Sequence, residues 1–170
     1  MIETPYGNTM ADRSLLAALR GKKNFKKHSF LERESDERQY CSPSVDLPVC
    51  GFFKSKDFPE YHTHLDNFKL VTQKGLQDSF NVFKTIIDAF ELGLYPKTKI
   101  ICEPNLGKRN LYPTLSQKEN LTYGNEIKTR RHLLAYSNGK NDLFQISNLL
   151  NINLKEICEE YKTLKAKKII

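Results

Sequence analysis

One apolar period constrains this chain more than anything else in it. Leu76, Phe80, Phe83, Ile87, Phe90 and Leu94 recur at spacings of four and three. That spacing puts them on one face of a helix over about 73–93. Thr72 is placed to cap this helix and Gly93 to end it. No other segment upstream carries so long a pattern. Residues 9–20, TMADRSLLAALR, predict a shorter helix, with Thr9 as N-cap, Asp12 three residues on, an apolar side of Leu15, Leu16 and Leu19, and Gly21 to close it.

Three short segments read as strands: FKKHSFL at 25–31, Val49 to Phe53, and Lys97 to Cys102. Polar stretches at 32–48, broken by Pro43 and Pro48, and at 54–66 read as loops. An irregular stretch, EPNLGKRNLYPTLS, runs on to about 122. The pattern then changes to three short helices at about 124–136, 142–150 and 154–168, with Asp142/Gln145 and Asn153/Glu156 resembling capping boxes. A boundary between 115 and 125 is expected, giving domains at 1–120 and 121–170.

Hydrophobic residues at 39% and charged residues at 28% are a globular composition, not a disordered one. No run approaches the ~20 apolar residues that span a bilayer, so no membrane partner is expected. The residues from Met1 to Asn8 have no apolar core of a signal peptide. Cys41, Cys50, Cys102 and Cys158 form no CxxC pair, and read as reduced thiols of a cytoplasmic protein. The +7 charge gathers at Arg20, Lys22, Lys23, Lys26 and Lys27, and again at Lys162, Lys165, Lys167 and Lys168. It is compatible with an acidic partner, but such a surplus is more often a solvated face.

Two polar loops beside the 49–53 strand concentrate groups that bind metals or move protons: SDERQYC at 35–41 and PEYHTHLDN at 59–67. His62 and His64 share a face if the backbone is extended. A neutral imidazole is a good zinc ligand, but two solvated loop histidines fit the spacing as well. Asp36 and Glu37 are adjacent and cannot both point into one site from a strand, and a loop salt bridge with Arg33 or Arg38 is the favoured account of them.

The pieces SDERQYCSP, DLPVCGFFKSK and PEYHTHLDN, with GNTMADR at 7–13 and CEPNLGKRNLYPTLS at 102–116, together resemble the late part of the M28-type zinc aminopeptidase fold. They resemble more closely the aminopeptidase-like proteins of the DUF4910 kind, which carry a C-terminal winged-helix-like domain. This resemblance implies an α/β fold: a partial aminopeptidase-like mixed sheet flanked by helices, followed by a small all-α winged-helix-like domain. It implies zinc as cofactor, with His62 as a ligand, Asp66 following it as the pattern expects, and Asp36 supporting the site from outside the coordination shell. Arg109 and Tyr112 are candidate anchors for a substrate carboxylate, or staples of their own loop.

A zinc hydrolase needs at least three protein ligands and usually a carboxylate base. The resemblance places the other ligands before the region seen here, so this chain is not expected to hold zinc alone. It then reads as the C-terminal portion of a zinc-dependent aminopeptidase-like hydrolase, inactive without the missing upstream ligands. Its partner would be a complementing N-terminal polypeptide or a second copy, and its substrate, once complete, a peptide or amide.

The alternative is a nucleic-acid-binding or protein-docking winged-helix module with a non-catalytic relic domain. The tail's lysines favour phosphate contact. Glu156, Glu159 and Glu160 on the same helix would repel it, and that helix has no Arg for guanine readout. Docking is therefore the favoured role for the tail.

Overall fold

The computed structural model describes residues 1–112 and 125–170. They divide into two compact units, Met1–Ile86 and Ile87–Ile170. The expected domain boundary lies outside the described residues.

The first unit is built on its N-terminal segment. Ile2 bridges His28 in parallel and Gly51 antiparallel, and the Met1 amine donates to the Lys26 carbonyl at 2.7 Å. The segment thereby clamps the 26–28 and 51 stretches on either side of it. Gly51 is required there, because a Cβ would meet the Phe53 ring at 2.6 Å and Ile2 Cβ at 3.3 Å. Helix α1, Met10–Leu19, starts in the expected capping box of Thr9 and Asp12. It buries Leu15, Ala17, Ala18 and Leu19, which with Ile2 belong to the core of this unit.

The carboxylate of Asp12 does more than close that box. It accepts from Thr4 N at 2.8 Å, Thr4 Oγ1 at 2.5 Å, Thr9 N at 2.9 Å, Thr9 Oγ1 at 2.7 Å and Cys50 Sγ at 3.2 Å. One buried charge thus ties the N-terminal segment, the start of α1 and the 50s stretch together. Burial works to raise its pKa, but the bonds from Thr4, Thr9 and Cys50 outweigh burial and hold the carboxyl below its usual range.

Helix α2 is a single turn, Glu37–Tyr40, and α3 spans Gln73–Glu91. Thr72 caps α3 through its hydroxyl, which accepts from Gly75 N at 3.1 Å. Gly93 leaves it at φ +91°, a conformation that suits glycine. The helix is where the period put it, but its apolar stripe is not its buried side. Val82 and Ala89 are buried, whereas Leu76, Phe80 and Phe83 are exposed.

In the second unit α4 (Asn125–Tyr136), α5 (Leu143–Leu150) and α6 (Leu154–Ala166) pack on one another. Leu133, Leu143, Phe144, Ile146, Leu154, Ile157 and Leu164 fill their core. Asp142 and Gln145 form the expected capping box on α5. Asn151, at φ 57°, turns the chain into α6, whose first turn is capped by Asn153 through Lys155 N at 2.9 Å. Thr98 N donates to the Ser137 carbonyl and Lys99 N to the Ile169 carbonyl, each at 2.9 Å, which lays the 97–99 stretch against the helices' connections.

The expected mixed sheet is not present. Among the described residues the three supposed strands reduce to isolated bridges: Ile2 with His28 and Gly51, and Lys97 with Asn138. The fold is helical with long irregular connections. A strand is stable only where a neighbour pairs its backbone along several residues. Val49–Phe53 has one such pairing, at Gly51, and Lys97–Cys102 has one, at Lys97. No described helix is long and apolar enough to cross a membrane.

Replacing Asp12 with Ala should destabilise the first unit by about 2–4 kcal/mol, since it strips the acceptor from several buried donors. The folded pKa of Asp12 is depressed, so its contribution is fully present above the unfolded value of 3.8 and fades as pH falls through the folded value. Thermal melts of wild type and Asp12→Ala should therefore differ at pH 7 and converge as the pH is lowered below that value. An equal gap at pH 7 and at low pH would contradict the assignment.

Candidate functional site

The loop that carries the histidines is a chain of turns, with Thr63 N donating to the Glu60 carbonyl at 3.0 Å and Asp66 N to the Thr63 carbonyl at 3.1 Å. Within it His62 sits at φ 61°. Left-handed backbone at a residue other than glycine is uncommon, but Asn24, Asp46, Cys102, Asn110, Asn151 and Lys168 share it, so the conformation alone does not single out His62. The His62 ring lies 3.9 Å from the Tyr61 ring, which in turn lies 5.4 Å from that of Phe58. Aromatic support holds the imidazole at the surface, where it is exposed. His64 and Asp66 are exposed beside it, and the His64 carbonyl accepts from Asn67 Nδ2 at 3.1 Å.

Asp36 opens α2 through its main chain: its carbonyl accepts from Gln39 N and Tyr40 N, while its side chain makes no cap bond and is exposed. The buried acid of this segment is its neighbour. Glu37 is only 2% exposed and accepts from Glu34 N at 3.0 Å and Ser35 N at 3.3 Å. Burial opposes its ionised form, but those backbone bonds prevail and keep its pKa low. Glu37 thus holds a turn, a role that adjacency to Asp36 in the sequence does not reveal.

A cleft of about 570 Å³ opens in the first unit. The basic turn, including Lys22, Lys23 and Lys26, forms one wall, and Phe52, Phe53 and Lys54 form another. Neither His62 nor Asp36 lines it. Among the described residues no three His, Cys, Asp or Glu side chains stand close enough to share a metal ion. By themselves the described residues do not fit a catalytic zinc, which needs three protein ligands.

Arg109 lies in the second unit, half-buried in a 3₁₀ turn, Gly107–Arg109, that ends on left-handed Asn110. Tyr112 is intermediate in exposure and engaged in an interaction of its own. The thiols are all unpaired. Burial, then the bond to Asp12, pushes Cys50 far above the ordinary thiol range, and burial pushes Cys158 up to about 12. Neither is poised as a nucleophile at neutral pH.

The charges of α6 are not distributed as the sequence suggested. Glu160 is buried and accepts from Arg130 Nε at 2.7 Å, while Arg130 also donates to the Leu111 carbonyl at 2.6 Å. Glu156 accepts from the Thr129 hydroxyl at 2.6 Å instead of closing a box with Asn153. That leaves Glu159 as the exposed acid of the helix, 3.9 Å from Lys155. Lys165 donates to the Leu92 carbonyl at 2.6 Å and lies over the Tyr161 ring.

Comparison with known proteins places these features in a family. Residues 1–93 match a domain of unknown function, DUF4910, and residues 94–170 match a winged helix-turn-helix. A Clostridium acetobutylicum protein, named as a polysaccharide biosynthesis protein with an aminopeptidase-like domain, is 35% identical over 119 residues. The match covers 66% of this chain and 26% of that relative. A crystal structure from the same organism, described as a peptidase, superposes with a TM-score of 0.75 at 26% identity. It accounts for 99% of this chain, which spans 37% of that one.

The Arg130–Glu160 pair is the electrostatic tie of the second unit. Glu160→Ala should cost about 3–5 kcal/mol, because it leaves a buried guanidinium without its partner. The double variant Arg130→Met, Glu160→Leu should recover most of that loss. Denaturant unfolding of the three proteins checks this, and a double variant as unstable as the single one would refute it.

Proposed function

Because this chain belongs to the DUF4910 family and carries a winged helix-turn-helix behind that domain, we propose that it is one portion of an aminopeptidase-like hydrolase. In this reading it has no peptidase activity alone. The observation that carries it is a contrast. The fold superposes on a larger protein described as a peptidase, yet the described residues bring no three metal-ligating side chains together.

His62 is the residue we assign as this chain's contribution to a zinc site completed by residues outside it. Its exposed, aromatic-backed ring supports that role. Asp36, exposed at the start of α2, is assigned to orient groups near that site. Arg109 and Tyr112 remain candidates for a substrate carboxylate. The substrate class is a peptide or an amide-bearing molecule. The relative's name adds a link to polysaccharide biosynthesis.

For the tail, docking is the better role. Lys155 is engaged by Glu159, and Lys165 by Leu92 and Tyr161. A second reading, binding of a nucleic-acid backbone, gains from one observation: with Glu156 and Glu160 engaged inside the unit, Glu159 is left as the main repelling group on α6. Duplex-binding anisotropy separates the two. Docking expects no binding of a 30-base-pair duplex at low salt, whereas backbone binding expects an affinity that falls steeply as salt rises.

The proposal as a whole is tested on the intact chain. Elemental analysis after dialysis against micromolar zinc should find well under one zinc per chain, and leucine p-nitroanilide should not be hydrolysed. His62→Asn, which keeps a residue tolerant of left-handed backbone, should leave stability within about 0.5 kcal/mol of wild type. One tightly held zinc per chain, or turnover by the chain alone, would overturn the reading.

A further inference from the structure

The cleft of the first unit lies outside the zinc reading, since neither His62 nor Asp36 lines it. Its volume of about 570 Å³ falls within the roughly 300–1,000 Å³ usual for small-molecule sites. The basic turn brings Lys22, Lys23 and Lys26 to it, and the stretch after Phe53 brings Lys54 and Lys56. Lys56 is answered by Glu34 at 3.3 Å and Glu32 at 3.8 Å. Lys27, which does not line the cleft, is answered by Glu3 at 2.6 Å. Among the described residues the ammonium groups of Lys22, Lys23, Lys26 and Lys54 have no carboxylate within ion-pair reach. Asp57 and Asp78 also line the cleft, so four uncommitted cations stand against two acids. Phe25, Phe52 and Phe53 supply its apolar wall. Phe52 is braced by Phe83, the rings meeting edge to face at 5.6 Å. Bare backbone at Gly75 makes room for Lys54, whose ammonium lies 3.0 Å from where a Cβ would stand.

We infer that this cleft binds a nucleoside phosphate of mononucleotide size, with its phosphates on the lysines and its base against the phenylalanine rings. Charges of one sign in a concave site with low-dielectric walls focus their field and concentrate a counter-ion there, whereas the same lysines on a convex face would only be solvated. The excess of cations calls for a ligand with at least two negative charges. A peptide's terminal carboxylate offers one, and a diphosphate offers more. All the lining cations besides His28 are lysines, which meet phosphate as point charges; no Arg, the fork that suits a carboxylate, lines the cleft. The rings separate a nucleotide from inorganic phosphate, because a base stacks on an aromatic side chain and a bare anion does not. A bounded cleft suits one nucleotide, while a strand needs a groove that tracks its backbone. This inference is independent of the hydrolase reading, and either can fail without the other.

The test is calorimetric titration of the intact chain with ADP and with UDP, at about 0.1 M salt so that diffuse surface attraction is screened. One saturable site per chain is expected for at least one of the two. The matching nucleoside and inorganic pyrophosphate should each bind about tenfold more weakly or worse, since each meets only part of the site. Lys22→Gln with Lys26→Gln should weaken the nucleotide by about tenfold or more. Lys162→Gln with Lys167→Gln removes as much charge from exposed positions of the second unit and should change nothing. Phe53→Ala should weaken the nucleotide and leave pyrophosphate as it was. Circular dichroism verifies that the lysine variants, all at exposed positions, keep their helices. Saturable binding of neither nucleotide would overturn the inference. Pyrophosphate bound as tightly as the nucleotide would also overturn it, by leaving the base no part. Equal loss from the two lysine pairs would do the same, by making the attraction a property of net charge and not of the cleft.

Discussion

The first unit depends on a single buried carboxylate. Its secondary structure is sparse: one three-turn helix, a 3₁₀ turn at Phe30–Glu32, one single-turn helix, the first part of α3, and loops between them. Such a unit cannot rely on ladders of backbone hydrogen bonds, so a side chain does the gathering. Asp12 serves the N-terminal segment, the cap of α1 and the Cys50 stretch at once. Charge-assisted bonds of this kind are stronger than neutral ones, and losing their acceptor orphans several donors together. Glu37 repeats the device on a smaller scale for the turn before α2. In the second unit Glu160 does so across two helices.

Much of the helical framework was legible because its signals are local. Thr9 with Asp12, Thr72, Gly93, and Asp142 with Gln145 all act where their spacing places them. What was not legible depends on partners distant in sequence. The runs at 25–31, 49–53 and 97–102 have the composition of strands, but composition cannot supply a neighbour. Each is held by an isolated bridge, and no sheet forms among the described residues. Glu156 was expected to serve Asn153 three residues back, yet Thr129 from another helix takes it. The α3 period is the sharpest case. It names the apolar face correctly, but a period alone does not say whether that face is covered, and here it is turned to water.

The same division applies to the candidate site. The PEYHTHLDN segment marks His62, and the structure adds what the letters did not contain, a left-handed backbone and a Tyr61 ring behind the imidazole. The pairing of Asp36 with Glu37 was ambiguous in sequence, and burial separates them: Glu37 is spent on the backbone while Asp36 faces solvent. The two loops hold reactive groups without converging them on a shared ion.

A crystal structure of the intact chain bound to the remainder of an aminopeptidase-like domain tests this account most directly. His62 should then be a ligand of a zinc ion whose other ligands come from that polypeptide. A complex in which the imidazole remains remote from any metal would contradict the account.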